Sequence, residues 1–119
     1  IPAARPDVFT EANQHLLNTK LVLEGANIPI THEAAKNLHD RGILIIPDII
    51  ANSGGVICAA TEYQGLSESN AFDRAKATIK TNVQELLKRV RDEHLPPHAI
   101  ALQMAQERIT NAMTYRAHM

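Results

Sequence analysis

The sequence predicts an α/β protein in which a short parallel sheet is followed by helices only. Two short apolar segments end at glycine or proline, helical patterns alternate with them, and the second half of the chain shows helical periodicity alone. Alternating helices and strands imply parallel strands joined by right-handed crossovers. We therefore expect the second half of a Rossmann-type parallel sheet domain, followed by a helical C-terminal tail.

Length and composition fit one small domain with an aliphatic core. Of the 119 residues, 45% are hydrophobic and 3% are aromatic. A net charge of -1 provides no basic surface for nucleic acid or an anionic membrane. A single cysteine forms no internal disulfide, and no apolar run has the length of a membrane span. We expect a cytoplasmic protein that binds a small molecule or another protein.

The first half of the chain predicts the order helix, strand, helix, strand. Thr10 is placed to cap a short helix, and a largely apolar strand follows at 21–25. Thr31 is the expected cap of the second helix, and Gly42 is the expected stop, because glycine adopts the left-handed conformation that ends helices. A second buried strand follows at 43–46. The inner face of the second helix is predicted to be Ala34, Ala35, Leu38 and His39.

The second half predicts two helices. Ser67 lies at the start of a long amphipathic helix, and Pro97 is suited to open another. The predicted inner faces are Phe72, Ala75, Ile79, Val83, Leu86, Leu87 and Val90 in the first helix, and Ile100, Ala101, Met104, Ala105, Ile109, Ala112 and Met113 in the second. No linker is evident, so we interpret 1–119 as one fragment of a domain, with an α/β part at 1–65 and a helical tail at 66–119.

Two adjacent glycines, Gly54 and Gly55, are expected where an apolar strand passes through a proline into a helix. They let a ligand approach the backbone, and the first turn of the helix offers free N–H donors. Ligands bind beyond the carboxyl ends of parallel strands, where Asn27 and Asn52 are both expected. Each feature alone is also typical of an ordinary turn or cap. It is their pairing that favours a ligand site.

The runs Glu-Gly-Ala-Asn at 24–27 and Asn-Ser-Gly-Gly-Val at 52–56 resemble a known family. They are similar to the C-terminal part of the glutamate, leucine, phenylalanine and valine dehydrogenases, where an Asn-Ala-Gly-Gly-Val run follows the last strands of the dinucleotide-binding domain. Here the second residue is Ser53. The resemblance covers nearly the whole chain but only about the last third of such an enzyme. Since Ile1 begins like the end of a strand, we interpret the chain as a fragment.

The resemblance implies NAD or NADP as the cofactor of the parent enzyme. It also implies oxidative deamination of an L-amino acid, glutamate or a branched or aromatic one, to a 2-oxo acid and ammonium. The family's catalytic lysine and aspartate belong to the preceding domain, so no catalytic residue is assigned and the fragment alone is expected to be inactive. The five glycines contain no G-x-G-x-x-G turn, so the pyrophosphate turn is either upstream or nonexistent. The residue that distinguishes NAD from NADP is expected upstream. The parent is expected to be a homo-oligomer, often a hexamer.

The same resemblance assigns binding residues. Cofactor contacts are expected from Gly25, Ala26, Asn27 and Asn52. Substrate contacts are expected from Gly54, Gly55, Val56 and Ala59. Asn27 would bond the nicotinamide ribose or carboxamide, and Asn52 would approach the nicotinamide. Glutamate-specific members typically have a serine at the position of Ala59, which favours an apolar substrate here. The sequences at 24–27 and 62–63 are similar to those of glutamate enzymes and favour glutamate instead. Both an apolar amino acid and glutamate therefore stay open as the substrate.

The other polar residues predict no second site. The histidines stand at 15, 32, 39, 94, 98 and 118 without a ligand-type cluster, so no metal is expected and each is interpreted as a surface or interface residue. Cys58 is predicted to be buried, and the basic run 88–91 to be a solvated helix face, because acidic residues follow it. Two alternative functions are a non-catalytic interaction module, which would use the sheet edge, and a nucleotide-sensing domain, which would need its own phosphate turn.

Overall fold

Two short parallel strands lie at the centre of the fold. In the computed structural model, which describes residues 1–117, strand β1 is Leu21–Leu23 and strand β2 is Leu44–Ile46. Val22 pairs with Ile45, and helix α1, His32–Asp40, is the crossover between the strands. The parallel pairing confirms the predicted α/β class. The predicted surface residue His118 lies outside the described residues.

Helix α1 begins and ends where the sequence predicts. The hydroxyl oxygen of Thr31 accepts a hydrogen bond from the Ala34 N–H at 3.3 Å, which is N-cap geometry. Gly42 follows the helix with a φ of +79°, in the left-handed region. Ala34 and Leu38 are fully buried, and His39 is half-buried. The predicted cap, stop and inner face of α1 are thus confirmed, with His39 at the margin of the face.

The predicted helix after Thr10 is wrong. Only one 3₁₀ turn forms, at Gln14–Leu16, and none of its three residues is buried. Asn13 Oδ1 accepts a hydrogen bond from the Thr10 N–H at 2.8 Å, so Thr10 belongs to a polar turn. A short helix is stable in water only when it buries an apolar face against the protein. Leu16 is 72% exposed and only the adjacent Leu17 packs against the core, so the segment has no continuous apolar face.

The strand that was predicted to pass through Pro47 is also wrong. Strand β2 ends at Ile46, and a one-turn helix, α2 (Asp48–Ala51), follows. The Pro47 carbonyl accepts hydrogen bonds from the N–H groups of Ile50 and Ala51 at 3.0 and 2.8 Å, which turns the chain. Helix α3, Gly54–Tyr63, comes next. The glycine pair therefore forms the start of α3 and follows a helix rather than a strand.

The helical second half is confirmed. Helix α4 spans Glu68–Glu93 and helix α5 spans Pro97–Ala117. The Ser67 hydroxyl oxygen caps α4 by accepting from the Asn70 N–H at 3.3 Å, and His94, in the left-handed conformation, ends it. None of the helices described in residues 1–117 is long and apolar enough to cross a membrane.

The core has two parts, one on each face of the sheet. Ile45 packs with α1, whereas its neighbour Ile46 packs with α4 and α5, because successive strand side chains point to opposite faces. Leu86 from α4 and Ile100 from α5 are fully buried in the second part. The helical tail therefore completes the core of the sheet.

Parts of the predicted tail faces are exposed. Phe72 is 64% exposed and its neighbour Ala71 is buried instead. In α5, Met104 is buried and Ala105 half-buried, but every residue at 106–116 is exposed, which includes the predicted inner residues Ile109, Ala112 and Met113. Periodicity indicates which side of a helix would face a core, but burial also requires a neighbouring element. None of the described elements covers this end of α5.

Candidate functional site

The structure brings the two predicted asparagines together. Asn27 lies in the loop after β1, and Asn52 ends helix α2 after β2. The Nδ2 of Asn52 donates a hydrogen bond to the Oδ1 of Asn27 at 2.7 Å. Within the described residues, this bond leaves the side-chain NH₂ of Asn27 and the side-chain carbonyl of Asn52 without a protein partner. A ligand at the carboxyl edge of the sheet would therefore meet one amide donor and one carbonyl acceptor.

A buried carboxylate, Glu24, holds the base of the Asn27 loop. The residue follows β1 directly and is 1% exposed. Its Oε2 accepts a hydrogen bond from the Asp48 N–H at 2.8 Å and lies 3.0 Å from the Nε2 of His98. Such bonds are necessary because burying a carboxylate without partners costs on the order of several kcal/mol even after the protein relaxes around it. Glu24 thus joins three segments: β1, the start of α2 and the start of α5.

Asp48 holds the other side of the same loop. Its Oδ2 accepts a hydrogen bond from the Ile28 N–H at 2.8 Å, and its Oδ1 accepts from the Ile49 N–H at 2.7 Å. Ile28 has a φ of +49°, which is unfavourable for a β-branched residue. The bond from Asp48 therefore supports a turn that Ile28 would not adopt by itself.

Sequence reasoning missed the functions of Glu24 and Asp48. A signal for Glu24 was present, since a carboxylate directly after an apolar strand and before a glycine has to be buried or to end the strand. Its partners are 24 and 74 residues away, and no local pattern connects them. His98, predicted as a surface or interface residue, is instead half-buried against Glu24.

Gly25 and Ala26 pack against the start of the chain. Their N–H groups both donate to the Pro2 carbonyl, at 3.0 and 2.9 Å. A Cβ atom on Gly25 would lie 3.1 Å from the Cβ of Ala3, so the close approach of this segment explains the glycine. Because both N–H groups are occupied, a cofactor would have to contact other atoms of these two residues. Their predicted contact with the cofactor stays a prediction.

The four predicted substrate residues lie at the start of α3. Gly55, Val56 and Ala59 are exposed, Val56 at 75%, and Gly54 is half-buried. A Cβ atom on Gly54 would meet only Ile79 at 3.7 Å, and one on Gly55 would meet nothing within 4 Å. In residues 1–117 these positions form an open surface next to Asn52 rather than an enclosed pocket. Their contact with substrate stays a prediction.

Two further residues differ from expectation. Cys58 is half-buried, not buried. Arg89, in the basic run expected to be a solvated face, donates hydrogen bonds to both carboxylate oxygens of Glu107, at 2.9 and 3.0 Å.

Within the described part of the chain, no three histidine, cysteine, aspartate or glutamate side chains are grouped as for a metal ion.

A parallel sheet with polar loops at its carboxyl edge is the arrangement of the nucleotide-binding α/β proteins. Comparison with known proteins defines the group further. The chain belongs to the Glutamate/Leucine/Phenylalanine/Valine dehydrogenase family, whose sequence model matches residues 1–117. This confirms the resemblance that the sequence suggested.

Relatives of several substrate types match the chain. An NADP(+)-dependent glutamate dehydrogenase of Pyrobaculum calidifontis is 37% identical over 98% of this chain and 29% of its own length. A valine dehydrogenase of Streptomyces albus is 34% identical over 97% of this chain and 32% of its own length. The crystal structure of glutamate dehydrogenase from Peptoniphilus asaccharolyticus superimposes with a TM-score of 0.82 at 28% identity, over 98% of this chain and 31% of that chain. The present chain therefore spans less than a third of the proteins that it matches.

Proposed function

We propose that this chain provides the nicotinamide end of the cofactor site in an NAD(P)-dependent amino acid dehydrogenase. The main support is the hydrogen-bonded pair of Asn27 and Asn52, 2.7 Å apart, at the carboxyl edge of the sheet. Relatives are named as NADP(+)-dependent and NAD-specific glutamate dehydrogenases. The proposed reaction of the parent enzyme is oxidative deamination of an L-amino acid to a 2-oxo acid and ammonium.

The free atoms of the asparagine pair fit the carboxamide of nicotinamide. The NH₂ group of Asn27 would donate to the carboxamide oxygen or a ribose hydroxyl, and the carbonyl of Asn52 would accept from the carboxamide nitrogen. When bound, the cofactor supplies the hydride acceptor for the substrate α-carbon. The protein's part is to fix the orientation of the ring, and Glu24 and Asp48 do so by holding the two loops together.

The start of α3 is the proposed wall of the substrate site. Gly54 and Gly55 leave space beside the backbone, and Val56 and Ala59 would face the substrate side chain. The methyl group of Ala59 cannot donate a hydrogen bond to a second carboxylate, so we propose a branched or aromatic amino acid as the substrate, with glutamate as the alternative. The lysine and aspartate that handle protons in the family are assigned to the part of the enzyme before this chain. The chain alone is proposed to be inactive, and its parent a cytoplasmic homo-oligomer, by resemblance a hexamer.

The cofactor proposal is tested with Asn27→Ala and Asn52→Ala in the parent enzyme. Loss of one neutral hydrogen bond is expected to raise the KM for NAD or NADP about three- to tenfold, with unchanged KM for the amino acid. Asn37→Ala is the matched control, since Asn37 is exposed on α1 away from the loop. No deamination of glutamate, leucine, valine or phenylalanine by the unaltered enzyme would overturn the proposed function. An equal effect of all three substitutions would overturn the cofactor contact.

The substrate proposal is tested with Ala59→Ser. A serine hydroxyl that bonds the distal carboxylate is expected to raise the ratio of kcat/KM for glutamate over leucine about tenfold or more. Ala60→Ser, on the next exposed position of α3, is the control. If the unaltered enzyme accepts only glutamate, Ala59 is not the residue that selects the substrate.

A further inference from the structure

The first turn of α5 is connected to the loop that carries Asn27 by a series of hydrogen bonds. The Nε2 of His98 lies 3.0 Å from the Oε2 of Glu24, and the Asp48 N–H donates to the same oxygen at 2.8 Å. The Oδ2 of Asp48 in turn accepts from the Ile28 N–H at 2.8 Å, and Ile28 directly follows Asn27. A side chain of the helical tail is therefore linked to a proposed cofactor contact.

His98 is the donor in the first of these bonds. An ionised carboxylate can only accept hydrogen bonds, so the proton of the imidazole ring is assigned to Nε2. The Glu24 side chain is 2% exposed, and its Oε2 accepts from both His98 and Asp48. Its Oε1 is buried and accepts from no residue at 1–117. Within the described residues, His98 therefore provides one of the two donors of this carboxylate.

The backbone of His98 is fixed by the buried start of α5. Pro97 and Ile100, on either side of it, are fully buried, and Ala101 is 2% exposed. The donor thus belongs to a packed helix, and it reaches a carboxylate that directly follows β1. A group on a packed helix orients its partner more precisely than a group on a loop does.

Loss of the His98 donor is expected to disturb the carboxylate that holds Asp48. With the Asp48 N–H as its remaining donor, the buried Glu24 carboxylate is poorly compensated for its lost hydration. The carboxylate is expected to turn toward solvent, and the Asp48 N–H then loses its acceptor. The turn that Asp48 stabilises at Ile28 becomes less stable, and Asn27 no longer keeps one position.

We propose that His98 is a positioning residue for the nicotinamide end of the cofactor site. It does not contact the cofactor. It orients the Glu24 carboxylate and, through Asp48, the loop that carries Asn27. Because Asn27 is itself a proposed contact, this function of His98 rests on the proposed function of the chain. The helical tail would then contribute to cofactor binding as well as to the core.

The test compares three substitutions of His98 in the full-length parent enzyme. His98→Leu removes the donor at a similar size and is expected to raise the KM for NAD or NADP about two- to fivefold, with unchanged KM for the amino acid. His98→Gln can place an N–H donor where the ring has Nε2, so its KM values are expected to stay within about twofold of the unaltered enzyme. His98→Asn is too short to reach Glu24 and is expected to behave like His98→Leu.

The matched control is His39→Leu. His39 is also a half-buried histidine, but it lies in the last turn of α1 and takes no part in this series of bonds. Its substitution is expected to leave the KM for the cofactor unchanged. Equal KM values for the cofactor in the three His98 variants would overturn the proposal. If His98→Leu yields no folded enzyme, the glutamine and asparagine variants decide, since their amides differ only in reach.

A double substitution separates positioning from a general loss of stability. In an enzyme that carries Asn27→Ala, His98→Leu has no Asn27 contact left to weaken and is expected to change the KM for the cofactor by less than about 1.5-fold. An equal increase with and without Asn27→Ala would show that His98 acts elsewhere, which overturns the proposal. An increase with Asn27→Ala alone but none with His98→Leu contradicts only the positioning function. No increase with Asn27→Ala contradicts the proposed cofactor contact itself.

Discussion

At the scale of single residues, the candidate site depends on two acidic residues that lie outside the proposed cofactor and substrate contacts. Glu24 accepts the Asp48 N–H, and Asp48 in turn accepts the Ile28 N–H. Asn27 precedes Ile28 directly, so the position of its amide follows the backbone of this turn. The left-handed φ of +49° at Ile28 stores conformational strain that the Asp48 bond offsets. The geometry of the asparagine pair is therefore coupled to the carboxylate of Asp48, which follows β2.

Asp48→Ala tests this coupling. Loss of an acceptor for two backbone N–H groups is expected to lower the free energy of unfolding by about 1–3 kcal/mol, measured by urea denaturation. Ile28→Gly in the Asp48→Ala background is expected to recover part of this loss, because glycine adopts a positive φ without strain. Asp73→Ala, at an exposed position of α4, is the control and changes stability by less than about 0.5 kcal/mol. No recovery by glycine would show that the strain at Ile28 is not what Asp48 offsets.

At the scale of the elements, local chemistry in the sequence predicts the ends of helices well. Thr31, Gly42, Ser67 and Pro97 all stand where predicted, because caps and stops depend on hydrogen bonds within a few residues. The one-turn helix α2 could not be predicted in this way. Its four residues bury Ile50 against the tail and donate the first N–H to Glu24, and both contacts are long-range.

The asparagine pair and the contacts of Glu24 differ in how far the sequence revealed them. The runs at 24–27 and 52–56 indicate that Asn27 and Asn52 share one edge, and the structure places them in contact. The contact of Glu24 with α5 depends on His98, which comes 74 residues later in the chain. The exposure of Ile109 and Met113 has a similar cause, since periodicity says nothing about whether a covering element exists. Contacts between distant segments thus account for what the sequence did not predict.

Gly42 and Gly55 are expected to respond oppositely to substitution by alanine. Gly42 has a φ of +79° with nothing within 4 Å of an added Cβ, so Gly42→Ala costs about 1 kcal/mol of stability through backbone conformation alone. Gly55 lies in α3 with open space and an ordinary helical backbone, so Gly55→Ala is expected to stabilise by about 0.5 kcal/mol. Thermal denaturation of both variants distinguishes the cases. Destabilisation by Gly55→Ala would indicate a contact that the described residues do not show.

At the scale of the whole molecule, the sheet and the tail share one core. The predicted division at residue 65 stays a prediction, but apolar contacts cross it, since Leu86 and Ile100 pack on the face of the sheet that carries Ile46. The face of the sheet that carries Ile46 is covered by the tail, and the buried residues of the tail pack against that face in turn. We therefore expect the whole chain to unfold in one transition, with the tail contributing to the stability of the strands.

Leu86→Ala is the direct test of this shared core. Leu86 is fully buried, so its truncation is expected to lower the free energy of unfolding by about 2–5 kcal/mol and to shift the whole transition. Leu102→Ala, at a position that is 56% exposed on α5, is the control and costs less than about 1 kcal/mol. Circular dichroism follows the helices, and amide exchange follows β1 and β2. If Leu86→Ala melts α4 and α5 while the strands stay protected, the two parts are independent.

The contact between α4 and α5 is also expected to depend on pH. Arg89 donates two hydrogen bonds to Glu107, and this lowers the pKa of the Glu107 carboxyl from its ordinary value of 4.5, while partial desolvation opposes the shift. A carboxyl with a lowered pKa in the folded state stabilises that state above the ordinary value, and the stabilisation is lost as the pH falls through the lowered value. Glu107→Gln is therefore expected to be less stable than the unaltered chain at pH 7, and this difference in stability is expected to shrink as the pH falls through the lowered pKa of Glu107. The control is Glu62→Gln, at an exposed position of α3. This control is expected to have the same stability as the unaltered chain at neutral and at acidic pH. Since both partners are at the surface, added salt is expected to reduce the difference in stability. A difference that does not change between pH 7 and acidic pH would show that Glu107 acts through packing and not through its charge.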